Sequence, residues 1–274
     1  EHAVRRVLEG RRCCRCAARP ANSATGDGHT VIGNIVKRSD IEQSVQKEMY
    51  ELFCRQFSGV TFEAFRADLQ EKNWALLLRD DNGSLGGFSM IHYYEQSIDG
   101  KNYPIVYSGD TVVDVEAWSD SALSYWWMGT IDYLRRIHGK DRLYWFLLVS
   151  GYRTYRFLPV YSECFYPRFD LPTPQHIQKV MHTLAQERFG DQFDARSGLV
   201  RLRHPAILKT GLRGIPDNRL ADPHIAFFAD RNRTHEAGDE LVCFAELAEN
   251  RLSRLGRRMW RKGRELVEAA GHAA

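Results

Sequence analysis

Between Trp74 and Asp114 the chain reads as three extended segments separated by two turn signals, and this stretch restricts the possible folds most. Trp74 to Leu78 is short and apolar. Asp80-Asp81-Asn82-Gly83 breaks it from Leu85 to Tyr94, and Asp99-Gly100-Lys101-Asn102 precedes Tyr103 to Asp114. Asn-Gly and Asp-Gly between apolar runs supply the positive φ that tight hairpins need. The stretch is therefore expected to fold as an antiparallel meander.

Helical periods surround it. Thr30 to Val36 reads as a first strand. Ser39 with Glu42 three residues on has the form of a capping box, opening a helix with Ile41, Val45, Met49, Leu52 and Phe53 on one face. Thr61 starts a second helix through Phe62, Phe65 and Leu69. After the meander, Ser119 or Asp120 caps a helix carrying Leu123, Trp126, Trp127, Thr130, Ile131 and Leu134, with Gly139 as its stop. Leu143 to Val149 is an uninterrupted apolar run of strand length, expected to be buried on both faces. Gly151 then leads into an aromatic helix from Tyr152. Further on, Gln175 to Phe189 reads as helix, Ile225 to Ala229 and Leu241 to Leu247 as paired strands, and Glu246 to Ala270 as a tail helix. This divides the chain into a poorly ordered leader (1–28), a core (29–170), distal elements that complete the sheet (171–250) and a basic C-terminal helix (251–274).

Composition removes several classes. The 274 residues are 43% hydrophobic and 27% charged, which excludes a disordered or collagen-like chain. No apolar window approaches the roughly 18 residues of a transmembrane helix. Thirty-eight basic against 35 acidic residues give only +3, so nucleic-acid binding is not expected. The isolated Cys54, Cys164 and Cys243 suit a reducing compartment. The cluster Cys13, Cys14, Cys16 has no second ligand group at finger spacing, so no metal is expected. Arg251 to Arg264, RLSRLGRRMWRKGR, carries basic residues and no acid. Leu252, Leu255 and Met259 fall near one face of it, a pattern suited to an anionic membrane surface or an acidic carrier protein.

This order of elements resembles the GNAT acyltransferase superfamily. The resemblance rests on Val106 to Asp114 (VYSGDTVVD), the helix that follows, and Leu143 to Pro159 (LYWFLLVSGYRTYRFLP), and it is strongest toward long-chain fatty-acyl N-acyltransferases, of the N-acyl amino acid synthase and bacterial ceramide synthase type. It implies an α/β (α+β) fold with a mixed, mostly antiparallel central sheet flanked by helices. It also implies transfer of an acyl group from a thioester to an amine, in a gap where the fourth and fifth strands diverge. Coenzyme-A-dependent members commonly hold pyrophosphate on a glycine-rich turn at a helix N-terminus. Here the matching segment, Val115 to Ala122, has no glycine and two acids. The implied co-substrate is acyl-CoA or an acyl carrier protein thioester, with no permanently bound cofactor, and the acceptor is an amino lipid or an amino acid.

The candidate residues follow from the same segments. In a regular strand Ser108 and Asp110 share a face with Val106 and Val112, while Tyr107, Gly109 and Thr111 face the other way. Asp110 is a candidate base, and Ser108 a candidate donor to the thioester carbonyl. Gly109 between them permits a bulge. Glu95 and His92 are further candidate bases. Tyr152 and Tyr155 are candidates for protonating the departing thiolate, since a phenol holds its proton at neutral pH. Thr111, Val112, Val113, Ser150, Gly151, Arg153 and Tyr161 are the expected donor-binding residues. An alternative stays open: a non-catalytic module of the same fold that binds an acyl carrier or a membrane surface. The expected location is cytoplasmic, with peripheral contact to the inner membrane through the basic tail.

Overall fold

The computed structural model describes residues 31–114 and 121–272; the Cys13, Cys14, Cys16 cluster and most of the Val115 to Ala122 segment lie outside them. Val31–Ala274 is a single compact unit. Its sheet begins with β1 (Ile32–Lys37), antiparallel to β2 (Trp74–Arg79), which joins β3 (Leu85–Ile98) and β4 (Lys101–Val113) in the expected meander. The turns close on Gly83 (φ 81°), and on Asp99 (φ 52°) with Gly100 (φ 74°). β5 (Leu143–Val149) then lies parallel to β4 and antiparallel to β6 (Glu240–Leu247). Short pairings of Leu199–Val200 and Phe165–Tyr166 with β6 extend the far edge.

A parallel β4–β5 pair needs a crossover, because a tight hairpin can join only antiparallel neighbours. That crossover is α3 (Ala122–Ile137), packed on one face of the sheet together with α8 (Arg254–Ala269). Their buried stripe includes Trp126, Trp127, Ile131, Met259 and Trp260. The opposite face holds two clusters. One lies beneath α1 (Gln43–Gln56) and α2 (Phe62–Gln70), the other beneath α6 (Gln175–Phe189). β5 is buried along nearly its whole length, as its unbroken apolar run requires, and leads into two short helices, α4 (Tyr152–Tyr155) and α5 (Phe157–Tyr161).

Three sequence expectations are corrected. The Ser39 capping box does not form: Ser39 Oγ donates to Asp40, and α1 starts at Gln43 without a side-chain cap. Thr61, by contrast, does cap α2, accepting from the Ala64 N–H at 3.2 Å. Ile225 to Ala229 is not a strand but part of α7 (Pro223–Arg231). Asp222 caps it through the His224 N–H at 2.9 Å, and Pro223 occupies the first turn, where a missing N–H costs nothing. Finally, Glu246 and Leu247 belong to β6, so the tail helix starts only at Arg254.

The α3–α8 contact carries a buried charge. Asp132 is fully buried on α3. Arg264 donates to it at 2.6 and 3.1 Å, with Arg135 at 2.9 Å and Arg136 at 3.2 Å. Removing the anion would open an apolar gap and strand the Arg264 guanidinium, while Arg135 keeps the Lys140 carbonyl at 3.0 Å and Arg136 keeps Glu268 at 3.3 Å. Asp132→Ala is therefore expected to destabilise the fold by about 2–3 kcal/mol, toward the low end for a broken buried pair because the arginines keep some water contact. Urea midpoints of the two proteins check this.

Candidate active site

The β4–β5 ladder is short. Ile105↔Tyr144, Val106↔Trp145, Tyr107↔Phe146 and Ser108↔Leu147 are paired, and no pair follows Ser108 among the described residues. Beyond it the two strands part, so Gly109–Val113 and Leu148–Val149 border a slot in the sheet. The cause lies in the neighbouring ladder. Ser89 pairs with Thr111 but Ile91 pairs with Ser108, so Gly109 and Asp110 together oppose Met90. Such a bulge bends its strand and increases its local twist.

The bulge also changes which way the side chains point. Val106 packs in the α3 cluster, whereas Val112 packs beneath α1 and α2. Ser108 stays on the α3 side, where its Oγ accepts from Trp145 Nε1 at 2.7 Å and keeps its own proton to donate. Thr111 is also on that side, with Oγ1 2.8 Å from Ser89 Oγ. Asp110 is on the other. The expectation that Ser108 and Asp110 share a face is thus overturned by the one extra residue. Gly109 fits for a steric reason: a Cβ there would lie 2.7 Å from Lys72 Cε.

A cleft of about 1170 Å³ opens at the slot and is lined from both faces of the sheet. On the α3/α8 side it meets Leu123, Trp127, Tyr161, Leu255 and Met259; on the other it meets Asp68, Tyr107, Arg188 and Phe189. Ser108, Asp110, Thr111, Val113, Ser150, Gly151, Tyr152, Arg153 and Tyr161 all line it. The structure therefore gathers most of the predicted residues at one place. Tyr161 stacks on Trp127 with centroids 5.5 Å apart, and its hydroxyl donates to Ser124 Oγ at 3.0 Å. Arg153 donates to the Leu212 carbonyl at 3.0 Å.

Four candidates are not brought to the cleft. Tyr155 is wholly buried and donates to the Pro167 carbonyl at 2.8 Å; its burial holds the phenol far above its ordinary pKa. Val112 is a core residue. Glu95 is held by Lys140 at 2.7 Å and by Asn102, which keep its carboxyl below the ordinary range and make it a poor base. His92 packs against Tyr94, with ring centroids 4.8 Å apart and planes tilted by 35°, outside the lining; burial lowers its pKa, helped by Arg188 and Lys72.

Sequence reading missed the rest of the acidic floor. Lys72 is fully buried and pairs with Asp68 at 2.7 Å, while Arg188 pairs with Glu71 at 2.6 Å and covers the Tyr107 ring at 4.1 Å. Glu240, the first residue of β6, also lines the cleft. Burial, reinforced by Asp68 against the opposing Lys72, pushes the Asp110 carboxyl up to about 7. Burial together with Asp110 and Asp68 pushes Glu240 up to about 8. A carboxyl poised near neutrality in a cleft has the form of a general base. The hint in the sequence was an acid directly before the apolar run Leu241 to Ala245.

The basic tail is partly structural. Leu252 and Met259 are buried, so the expected apolar face is reduced to Leu255, 44% exposed beside the cleft. Arg254, Arg258, Arg261 and Lys262 remain at the surface. Among the described residues no helix is long and apolar enough to cross a membrane.

No family model and no curated protein matches the chain. Similar solved structures include a conserved protein of unknown function from Enterococcus faecalis V583, described as a probable N-acyltransferase (17% identity, 50% of this chain and 33% of that one, TM-score 0.38). A GNAT family N-acetyltransferase from Escherichia coli in complex with CoA is similar over 49% of this chain and 71% of its own (16% identity, TM-score 0.37). A GCN5-related N-acetyltransferase from Kribbella flavida is similar over 48% and 33% (18% identity, TM-score 0.37). The chain spans one third of the length of the Enterococcus and Kribbella proteins.

Proposed function

We propose that this protein is an N-acyltransferase, moving a long-chain acyl group from a thioester to an amine by direct attack. The observation that carries the reading is the slot between β4 and β5, which opens onto a cleft reaching both faces of the sheet. A pantetheine arm is slender and offers amide groups that pair with strand edges, so coenzyme A and an acyl carrier protein present the same chemistry there. Arg153, Arg156, Arg213 and Arg219 line the cleft and suit the phosphates or carboxylates of either carrier. Leu123, Trp127, Phe157, Val160, Leu255 and Met259 suit an apolar acyl tail. Across the sheet, Phe57, Val60, Ala64 and Phe189 surround the acidic floor. That surface favours an amine on an apolar body, such as a sphingoid base, over an amino acid whose carboxylate would face Asp68 and Asp110.

In this mechanism Ser108 donates to the thioester oxygen as it gains charge. Asp110 removes a proton from the arriving ammonium, the amine nitrogen bonds to the carbonyl carbon, and the C–S bond breaks. Tyr152 gives its proton to the departing thiolate and recovers one from the new amide nitrogen. Incubation with a long-chain acyl-CoA and a long-chain primary amine is expected to release free thiol and yield an amide. Tyr152→Phe is expected to lower kcat by about 100-fold with KM little changed, the usual scale for a lost general acid. Absence of thiol release with every acyl-CoA and acyl carrier protein tested would remove the catalytic reading and leave a binding module.

A further inference from the structure

We propose that Asp110 and Glu240 work as one carboxyl pair across the end of β5, with Glu240 the positioning residue that keeps Asp110 basic. This rests on the acyl-transfer reading and extends it to a residue on a strand 130 positions downstream.

The register places the two groups. Leu241 pairs with Val149, so Glu240 lies level with Ser150, just past the end of β5. Asp110 lies two residues past the last β4–β5 pair. With β5 ending between them, both border the open end of the slot. Glu240 is in phase with Val242 and Phe244, which pack in the α6 cluster, and Asp110 is in phase with Val112 beneath α1 and α2. Both therefore lie on the same side of the sheet, and both line the same cleft. Neither carboxyl has an ion pair or a side-chain hydrogen bond among the described residues.

The surroundings explain why the two depend on each other. Lys72 and Arg188 pair with Asp68 and Glu71, and Asp68 still adds its repulsion to both carboxyls. The Tyr107 hydroxyl is held far above its ordinary pKa by burial and is neutral. His235 and Glu236 face the same cleft from the loop before β6, and burial lowers the imidazole. Two carboxyls that repel each other in a confined space without a cation of their own retain one proton between them and titrate as a unit. In the reaction the fully ionised pair accepts the ammonium proton and becomes singly protonated, the step whose proton affinity the neighbouring charge raises. It returns that proton to water after the amide and thiol leave, so protons balance.

The test is the pH profile of kcat/KM for Glu240→Gln. Removing the neighbouring charge weakens Asp110 as a base, so the acid limb is expected to move down by about one pH unit. The plateau rate should fall about tenfold, and Glu240→Asp should restore the limb. Carbon-13 carboxyl NMR supplies a readout that needs no turnover. The Asp110 midpoint should fall in Glu240→Gln, and the Glu240 midpoint should fall in Asp110→Asn. An acid limb and midpoints that stay in place would overturn the pair and leave Glu240 a structural acid. If no thiol is released from any donor, the acyl-transfer reading fails on its own while the NMR titration still decides the pair.

Discussion

Asp110→Asn is expected to lower kcat/KM for acyl transfer by about 100-fold or more at neutral pH, the usual minimum for a removed general base. The amide has nearly the carboxyl's shape, so the Gly109–Asp110 bulge and the slot it opens should persist. A non-catalytic module would keep its affinity and lose nothing measurable. The same substitution has a stability signature. The folded-state value of about 7 lies above the ordinary aspartate value of 3.8, so between these pH values the folded protein binds more protons than the unfolded chain. Asp110 therefore makes stability fall as pH rises through that window, and its full penalty is present above pH 7. Asparagine carries no such penalty. Asp110→Asn should thus gain stability over the native protein at pH 8 relative to pH 4. The gain should be on the order of 1 kcal/mol once the group's partial exposure is allowed for. Denaturant midpoints at the two pH values check it. An inactive variant that is more stable at high pH would separate lost chemistry from lost structure.

Gly263→Val is expected to be severely damaging to the fold. A Cβ at Gly263 would lie 2.2 Å from the Tyr125 carbonyl oxygen and 2.5 Å from the Gly129 nitrogen, both backbone atoms of α3. No rotamer relieves a clash with backbone, so α8 would have to separate from α3. That movement would open the packing of Met259 and Trp260 and break the bonds from Arg264 to Asp132. The expected cost is at least about 3 kcal/mol, the upper part of the range for overpacking. Because α3 supplies Leu123 and Trp127 to the cleft, acyl transfer should fall with it. Thermal unfolding checks the stability; a variant as stable as the parent would show that the helices do not meet this closely.

Legibility in the sequence depended on how local each signal was. The meander was readable because its turns carry their own chemistry in Asp80–Gly83 and Asp99–Gly100, and β5 because an unbroken apolar run of seven residues has the length of a strand buried on both faces. Ser108, Gly109 and Asp110 lie on the strand expected to carry them, yet their faces were misread. A bulge shifts the two-residue phase, and its position depends on the partner strand's register. Tyr155 and Tyr152 lie on one short helix and looked equivalent; packing alone separates them. Asp68, Lys72 and Glu240 come to Asp110 from α2, the loop after it and β6, contacts that no spacing within one segment encodes. The α7 error was avoidable, since Asp222-Pro223 is a recognisable helix start.

A structure with a stable acyl-CoA analogue, its thioester sulfur replaced by methylene, tests most directly whether the parted strands form the working site. The pantetheine arm should thread between Gly109–Val113 and Leu148–Ser150, with the carbonyl oxygen near Ser108 and the acyl tail against Trp127 and Leu255. Binding confined to the outer surface, with the slot filled by protein side chains, would contradict the account.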